Sequence, residues 1–260
     1  MKYKNHLLGV RIDDIYEKGI ENNLNEFVNS KKFNIINPTN PIMLMISREN
    51  SKFRQALNKS ELNTCDGVGI SFMFKLVSRK LKRCPGSTLV YSVLKFAEKN
   101  NLKVFLLGAK PKINKQTINV AKKRYPKIKI SGYPPLYEKK LKDSFQDDEQ
   151  KKIMSLIKKA KPDIVCAFLG APFQEIWFQD NRKELQKGGV KIGLSLGRTA
   201  DFVSGHTKRS PKMLQRLKLE WLYRLLAEKG RVKKVFPRVP LFVLFSLKDI
   251  FFGNNFYKST

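Results

Sequence analysis

Two stretches of the chain hold polar side chains where they could act on an anionic substrate. In Asn63-Thr64-Cys65-Asp66-Gly67-Val68-Gly69 a single carboxylate, Asp66, is held in a turn flanked by glycine. A carboxylate fixed in this way can take a proton from a hydroxyl as that hydroxyl attacks a carbon centre. The plainer reading is an Asp that caps its own turn through the backbone. The second stretch runs from Lys161 to Trp177, where the apolar residues Ile164 to Leu169 break at Gly170 and resume with helical spacing. It reads as a buried strand, a turn, and a helix opened by Pro172, whose missing N–H is not needed in a first turn. Such a corner presents backbone N–H groups and the positive end of a helix dipole at the carboxyl edge of a sheet, a setting that favours phosphate. Gln174 and Glu175 fall in the first turn of that helix, within reach of a ribose, a sugar or a base, with helix capping as the alternative. A basic element comes later. On a helix expected over 212–228, Arg209, Lys212, Arg216 and Arg224 share a sector about 120° wide, with Glu220 inside it. That face suits a diphosphate, although a basic helix face is commonly a solvated surface.

The elements that must position these residues follow from hydrophobic periodicity and turn signals. Leu7 to Val10 suggests a short strand, Ile12 to Val28 a helix, and Phe33 to Ile36 a strand closed by the turn signals Asn37-Pro38-Thr39-Asn40-Pro41. Short helices are expected at 42–47 and 52–57 and a longer one at 87–100, before a buried strand, Lys103 to Leu107, that ends in Gly108-Ala109. A helix at 113–125 follows. Gly132 to Asp148 reads as a surface loop, and Ile153, Met154, Leu156, Ile157 and Ala160 form the stripe of an amphipathic helix. The order strand, glycine, helix occurs at Gly108, at Gly170 and again at Lys191 to Gly197. The expected fold is therefore α/β, a parallel sheet flanked by helices in the Rossmann-like manner with right-handed crossovers. This core should occupy residues 1–205, and residues 206–260 read as a basic helical appendage. In it, Arg231, Lys233, Lys234 and Arg238 precede a Phe-rich apolar run, Val239 to Phe252. The run is too short to span a bilayer, which needs about 18–20 residues. It is suited either to lying on an anionic membrane or to packing under the core.

Composition narrows the classes. With 42% hydrophobic residues among 260, the chain can build a real core, and disorder throughout is excluded. Its 52 Lys and Arg against 22 Asp and Glu give a formal charge of +30, which attracts phosphate in nucleic acid, nucleotide or anionic lipid without choosing among them. Cys65, Cys84 and Cys166 lack CxxC spacing and imply a reducing compartment rather than a disulfide frame or a zinc site. The charged N-terminus has no signal-peptide apolar region, so a soluble or peripheral protein is expected. There is no Asp-x-Asp motif, Asp13-Asp14 and Asp147-Asp148 read as helix starts, and His6 and His206 stand alone. No metal or other cofactor is expected.

Four blocks together resemble the WecG/TagA/CpsF glycosyltransferases from about Leu7 to Phe236. They are Asn40-Pro41, Cys65-Asp66-Gly67-Val68-Gly69, Leu169-Gly170-Ala171-Pro172-Phe173-Gln174-Glu175-Ile176-Trp177, and Arg209-Ser210-Pro211 with Leu219-Glu220-Trp221-Leu222-Tyr223-Arg224-Leu225. The resemblance implies metal-independent, inverting transfer of an N-acetylmannosamine-type or related sugar from a UDP-sugar donor to a polyprenyl-diphosphate-linked sugar acceptor. The setting it implies is cell-envelope polysaccharide synthesis, with the enzyme peripheral on the cytoplasmic face of the cell membrane. It implies Asp66 as the base, with Asn40, Thr39, Arg83, Gly108, Gly170, Gln174, Glu175 and Asp201 around the substrates and Arg209, Arg216 and Arg224 on diphosphate. An anionic membrane surface is then a partner, and homo-oligomer formation is left open. The alternative is a basic nucleic-acid-binding protein or a membrane-associated scaffold without catalysis. The first would need RNP-like aromatics, finger spacing or a repeated basic array, which are missing, and neither gives Asp66 or the Gln-Glu corner a task. Three departures stand out. Pro38 takes a position where the family commonly has Thr, with Thr39 beside it. Gly86-Ser87-Thr88 lacks the carboxylate of a Gly-x-Asp pattern after Arg83, and Arg198-Thr199-Ala200 replaces small and aromatic residues before Asp201. They surround the implied sugar pocket, so the identities of donor and acceptor stay open.

Overall fold

Runs of branched and aromatic residues buried on both faces build the centre of the molecule. The computed structural model describes residues 5–16, 19–135, 144–207, 211, 213 and 238–252. Six strands, β3 (Asn34–Thr39), β4 (Leu62–Cys65), β5 (Lys103–Gly108), β6 (Lys129–Tyr133), β7 (Ile164–Phe168) and β8 (Ile192–Ser195), form one parallel sheet in the order β4-β3-β8-β7-β5-β6. Strands such as β7 are buried along their whole length, as a sheet covered on both sides requires.

Two helical layers cover the sheet. On one face lie α1 (Ile20–Asn29), α5 (Gly86–Lys99), α6 (Pro111–Arg124) and α10 (Thr199–Val203), sharing a core with Ile36, Val104, Leu106, Cys166 and Leu194. On the other lie α7 (Asp147–Ala160), α8 (Phe173–Asp180) and α9 (Arg182–Lys187), packed on Ile35, Phe105, Val165 and Ala167. Beside these last three, α2 (Pro41–Glu49), α3 (Ser51–Asn58) and α4 (Val68–Leu76) build a third apolar cluster. Steps along the sheet in one direction, β4 to β5 and β5 to β6, pass through α5 and α6. Steps in the other, β3 to β4, β6 to β7 and β7 to β8, use the opposite layer, the pattern of uniformly right-handed crossovers. Neighbours β5 and β7 thus send the chain to opposite faces, which makes the carboxyl ends at Gly108 and Gly170 a switch point, the place where folds of this kind bind ligands.

Several local expectations are corrected. Leu7 to Val10 is not a strand: Leu8 and Gly9, at φ 53° and 75°, reverse the chain between β1 (Asn5–Leu7) and β2 (Val10–Ile12), an antiparallel hairpin. Residues 12–16 are not helical, because Asp13 bridges to the edge of β4, donating its N–H to Asn63 O (2.8 Å) and accepting the Asn63 N–H on Oδ2 (2.7 Å). Asp13 therefore pins an edge strand rather than opening a helix. Phe33 to Ile36 continues as strand through the supposed turn to Thr39, and Pro38 is tolerated because β8 pairs with β3 only as far as Ile36. Asn63 to Cys65 is a buried strand whose polar side chains are satisfied internally. Asn63 donates to Leu57 O and accepts from Asn37 Nδ2, and the Thr64 hydroxyl donates to Cys84 O. Gly132 and Tyr133, expected in a loop, end strand β6, and Pro172 sits one residue before α8.

The apolar run at the C-terminus is α11 (Arg238–Phe252), and it packs against the core. Phe242, Ser246 and Ile250, spaced by one turn, are buried among α2, α4 and the hairpin. Asp249 Oδ2 accepts the Leu8 N–H at 2.7 Å, and the Arg48 guanidinium lies 3.3 Å from the centre of the Phe245 ring. The opposite side of α11 leaves Leu244, Phe251 and Phe252 60%, 66% and 82% exposed. No helix among the described residues is long and apolar enough to cross a membrane.

Candidate active site

The carboxyl ends of the strands gather the residues singled out by sequence. Asn40 follows β3 and caps α2, its Oδ1 accepting from the Ile42 and Met43 N–H groups at 3.0 and 3.2 Å. Asp66 follows β4, half-buried, and donates its N–H to Thr39 O at 2.8 Å, which ties its turn to the end of β3. Thr39 itself is buried with its hydroxyl on Asn37 O (3.2 Å), so it holds the strand end rather than facing a ligand. The glycines after Asp66 explain their own presence. A Cβ on Gly67 would overlap Pro41 Cδ, and one on Gly69 would lie 3.1 Å from Pro41 Cγ and 3.2 Å from Phe242 Cε1. The Asn-Pro and Asp-Gly-Val-Gly blocks are thus two sides of one contact.

Arg83 enters from the segment before α5, where the Cys84 N–H donates to Cys65 O (3.0 Å). Its Nε is buried and meets no acceptor among the described residues. Burial pushes the Cys65 thiol up to about 12, against the pull of the neighbouring Arg83 charge and with a smaller upward push from Asp66. That thiol is therefore protonated at neutral pH and is no nucleophile. Burial alone raises Cys166 to about 12.

The corner after β7 differs from its expected use. Gln174 and Glu175 are only 3% and 0% exposed. Gln174 Oε1 accepts the Gly170 N–H (3.1 Å) and the Gly197 N–H (3.0 Å), while its Nε2 donates to Glu175 Oε1 (2.8 Å). Two strand-end amides that would otherwise face a phosphate are held by a buried amide, so this pair shapes the crest from beneath. Gly170, at φ 84°, has no atom of the described residues within 4 Å of a would-be Cβ. Gly108, at φ 104°, could not carry a Cβ, which would lie 2.8 Å from Leu169 Cδ2 and 2.9 Å from the Phe168 carbonyl. Asp201, 14% exposed, accepts from Arg198 Nε at 2.9 Å, and Arg198 is 64% exposed.

The three departures from the pattern meet in space. A Cβ on Gly86 would lie 3.3 Å from Pro38 and 3.5 Å from Thr199 Oγ1. The Thr88 hydroxyl, at the position of the missing carboxylate, donates to Pro85 O (3.1 Å). Arg209, Arg216 and Arg224 lie outside the described residues. Sequence reasoning missed Ser195, a buried hydroxyl with no partner among the described residues at the end of β8, and Tyr133, which donates to buried Glu149 (2.8 Å) at the end of β6. A lone Ser between Leu194 and Leu196, and a Tyr closing a short alternating run, were the available signals.

A wholly parallel sheet covered by helices on both faces, with the candidate residues gathered at its carboxyl edge, defines a Rossmann-like α/β protein. The chain belongs to the glycosyl transferase WecG/TagA/CpsF family, whose family model matches residues 5–255. It is 31% identical over 232 residues to the N-acetylglucosaminyldiphosphoundecaprenol N-acetyl-beta-D-mannosaminyltransferase of Bacillus subtilis (strain 168), covering 89% of this chain and 86% of that one. Proteins of the same name from Bacillus spizizenii (strain ATCC 23059 / NRRL B-14472 / W23) and Staphylococcus aureus (strain MRSA252) are 30% and 25% identical. They cover 85% and 91% of this chain and 82% and 89% of their own lengths.

Proposed function

We propose that this protein is an inverting glycosyltransferase. It moves an N-acetylmannosamine-type or related sugar from a UDP-sugar to a polyprenyl-diphosphate-linked sugar during envelope polysaccharide synthesis, without a metal. The observation that carries the reading is the Asp66 turn, a carboxylate fixed at the carboxyl edge by the Thr39 carbonyl and the Pro41 contact, with Asn40 and Arg83 beside it. The relatives' name supports the acceptor class, and a β-linked product from an α-linked donor corresponds to inversion. In this mechanism Asp66 takes the proton of the acceptor hydroxyl. The hydroxyl oxygen bonds to the anomeric carbon as the bond to the diphosphate breaks on the opposite face, and UDP leaves with the electron pair. Arg83 is suited to the developing negative charge, because its buried Nε has no protein acceptor among the described residues. Among the described residues Asn40 Nδ2 has no acceptor and is suited to a sugar hydroxyl, and the Arg198–Asp201 pair offers both charges after β8. The exposed side of α11 supports peripheral contact with the membrane that carries the acceptor.

The test is incubation of the purified protein with a panel of UDP-sugars and a polyprenyl-diphosphate-sugar acceptor. Released UDP together with a heavier lipid supports the proposal. Lipid of unchanged mass with every donor overturns it.

A further inference from the structure

The Phe-rich C-terminal helix reaches the first turn of α4, three residues beyond Asp66. Gly69 is the second residue of α4 and stands three places after Asp66. With no side chain of its own, it is flanked by Pro41 from the first turn of α2 and by the edge of the Phe242 ring from α11. The two would lie 3.1 and 3.2 Å from a Cβ on Gly69. Gly67, the residue next to Asp66, is in turn closed against Pro41. The first turn of α4, which directly follows the Asp66 turn, therefore packs on two side chains, of which one, Phe242, comes from a helix more than 170 residues away in sequence.

That helix is a stiff support. Phe242 and Ile250 are buried, Asp249 accepts the Leu8 N–H, and Phe245 lies under the Arg48 guanidinium, so α11 is fixed to the hairpin and to α2 at points other than Gly69. Packed interiors transmit displacement because they contain few voids into which a side chain can relax. Removing the ring would leave Gly69 with open space on one side, and the first turn of α4, together with the carboxylate before it, would lose one of its two walls.

We propose that Phe242 is a positioning residue for Asp66, acting through Gly69. The proposal rests on the transferase reading above and adds to it a residue that touches neither substrate nor reacting atoms. If Phe242 only stabilised the fold, Phe242→Ala would lower the melting temperature and leave turnover of the folded fraction unchanged. If it positions the base, the loss appears in kcat, with UDP affinity held within about twofold. Misplacement by about 1 Å can cost roughly 100-fold in rate, and the expected fall for Phe242→Ala is about 10- to 100-fold. Phe242→Leu, which keeps an apolar contact, should recover to within about threefold of the wild type.

The decisive experiment is a double-mutant cycle in the full chain, assayed on a water-soluble acceptor below the melting temperature of every variant. Gly69→Ala adds a methyl group against Phe242 and should lower kcat. Phe242→Leu in the same chain makes room for that methyl and should restore part of the loss, so the two changes must be non-additive. In parallel, the backbone amide signals of Asp66, Gly67 and Gly69 in ¹⁵N-labelled protein should move in Phe242→Leu and move further in Phe242→Ala. Additive kinetic effects, a wild-type kcat for Phe242→Ala, or unmoved amide signals would each overturn the proposal. A wild-type protein that turns over no UDP-sugar would instead overturn the transferase reading, and the amide signals alone would then decide whether Phe242 holds the turn.

Discussion

Replacing Gly67 by Ala probes the Asp66 turn with the smallest available change. The backbone there, at φ −109° and ψ 135°, suits any residue, so the new methyl group acts through contact alone. It would overlap Pro41 Cδ and lie 3.1 Å from Pro41 Cγ, whereas carbon atoms rest at about 3.5–4.0 Å. Pro41 or the turn must therefore shift by about 1 Å. Pro41 is the first residue of α2, directly after the capping Asn40, and its ring cannot swing aside as a longer side chain would. Overpacking of this kind costs about 1–3 kcal/mol, which in a chain of this size lowers Tm by several degrees at roughly 2–4 °C per kcal/mol. The same displacement moves Asn40 relative to Asp66, and kcat should fall by about 100-fold. Thermal unfolding and UDP-release kinetics on the same preparations measure both quantities. Gly170→Ala is the contrasting control: it meets no atom of the described residues within 4 Å but sits at φ 84°, so it should cost about 1–2 kcal/mol through backbone strain. A Gly67→Ala protein with unchanged Tm and kcat within twofold of wild type would refute the clamp around Asp66.

Four further outcomes are expected. Asp66→Asn should lower kcat by roughly 10²–10⁴-fold with UDP affinity nearly unchanged, and near-normal turnover would remove Asp66 from the role of base. Activity should survive EDTA, and a loss restored by Mg²⁺ or Mn²⁺ would reveal a metal requirement. Serine at Leu244, Phe251 and Phe252 together should spare activity on a soluble acceptor and reduce it on acceptor embedded in anionic liposomes, with equal activity on both as the opposing result. Burial raises the thiols of Cys65 and Cys166 from 9.0 to about 12, so they favour the folded state below pH 9 and withdraw that stability as pH climbs toward 12. Neither should react with iodoacetamide at pH 8 until the chain unfolds, and rapid labelling of the native protein would contradict their burial.

What could be read in the sequence followed the strength of local signals. β5 and β7 are continuous apolar runs closed by glycine, and α7 carries a full amphipathic stripe, so the parallel sheet emerged directly. β4 did not, because Asn63 and Thr64 look like turn residues until Leu57, Asn37 and Cys84 are seen to satisfy them. The strand through Asn37-Pro38-Thr39 was hidden by a proline whose tolerance depends on where the neighbouring strand stops. At the site, Asp66 and the glycines near it were legible from type and spacing. The inward turn of Gln174 was not, since its two amide partners come from Gly170 and from Gly197 in the turn after β8. Likewise, the phenylalanines of the C-terminal segment do not by themselves say which ring will meet a glycine in α4.

The meeting of Pro38, Gly86 and Thr199 constrains how this protein could have diverged. A methyl group at position 86 would sit tightly on the Pro38 ring at 3.3 Å and make an ordinary contact with the Thr199 hydroxyl at 3.5 Å, so its effect depends chiefly on what occupies position 38. Substitutions at 38 and 86 should therefore be non-additive, and a residue larger than glycine at 86 fits most readily where position 38 carries a smaller side chain than proline.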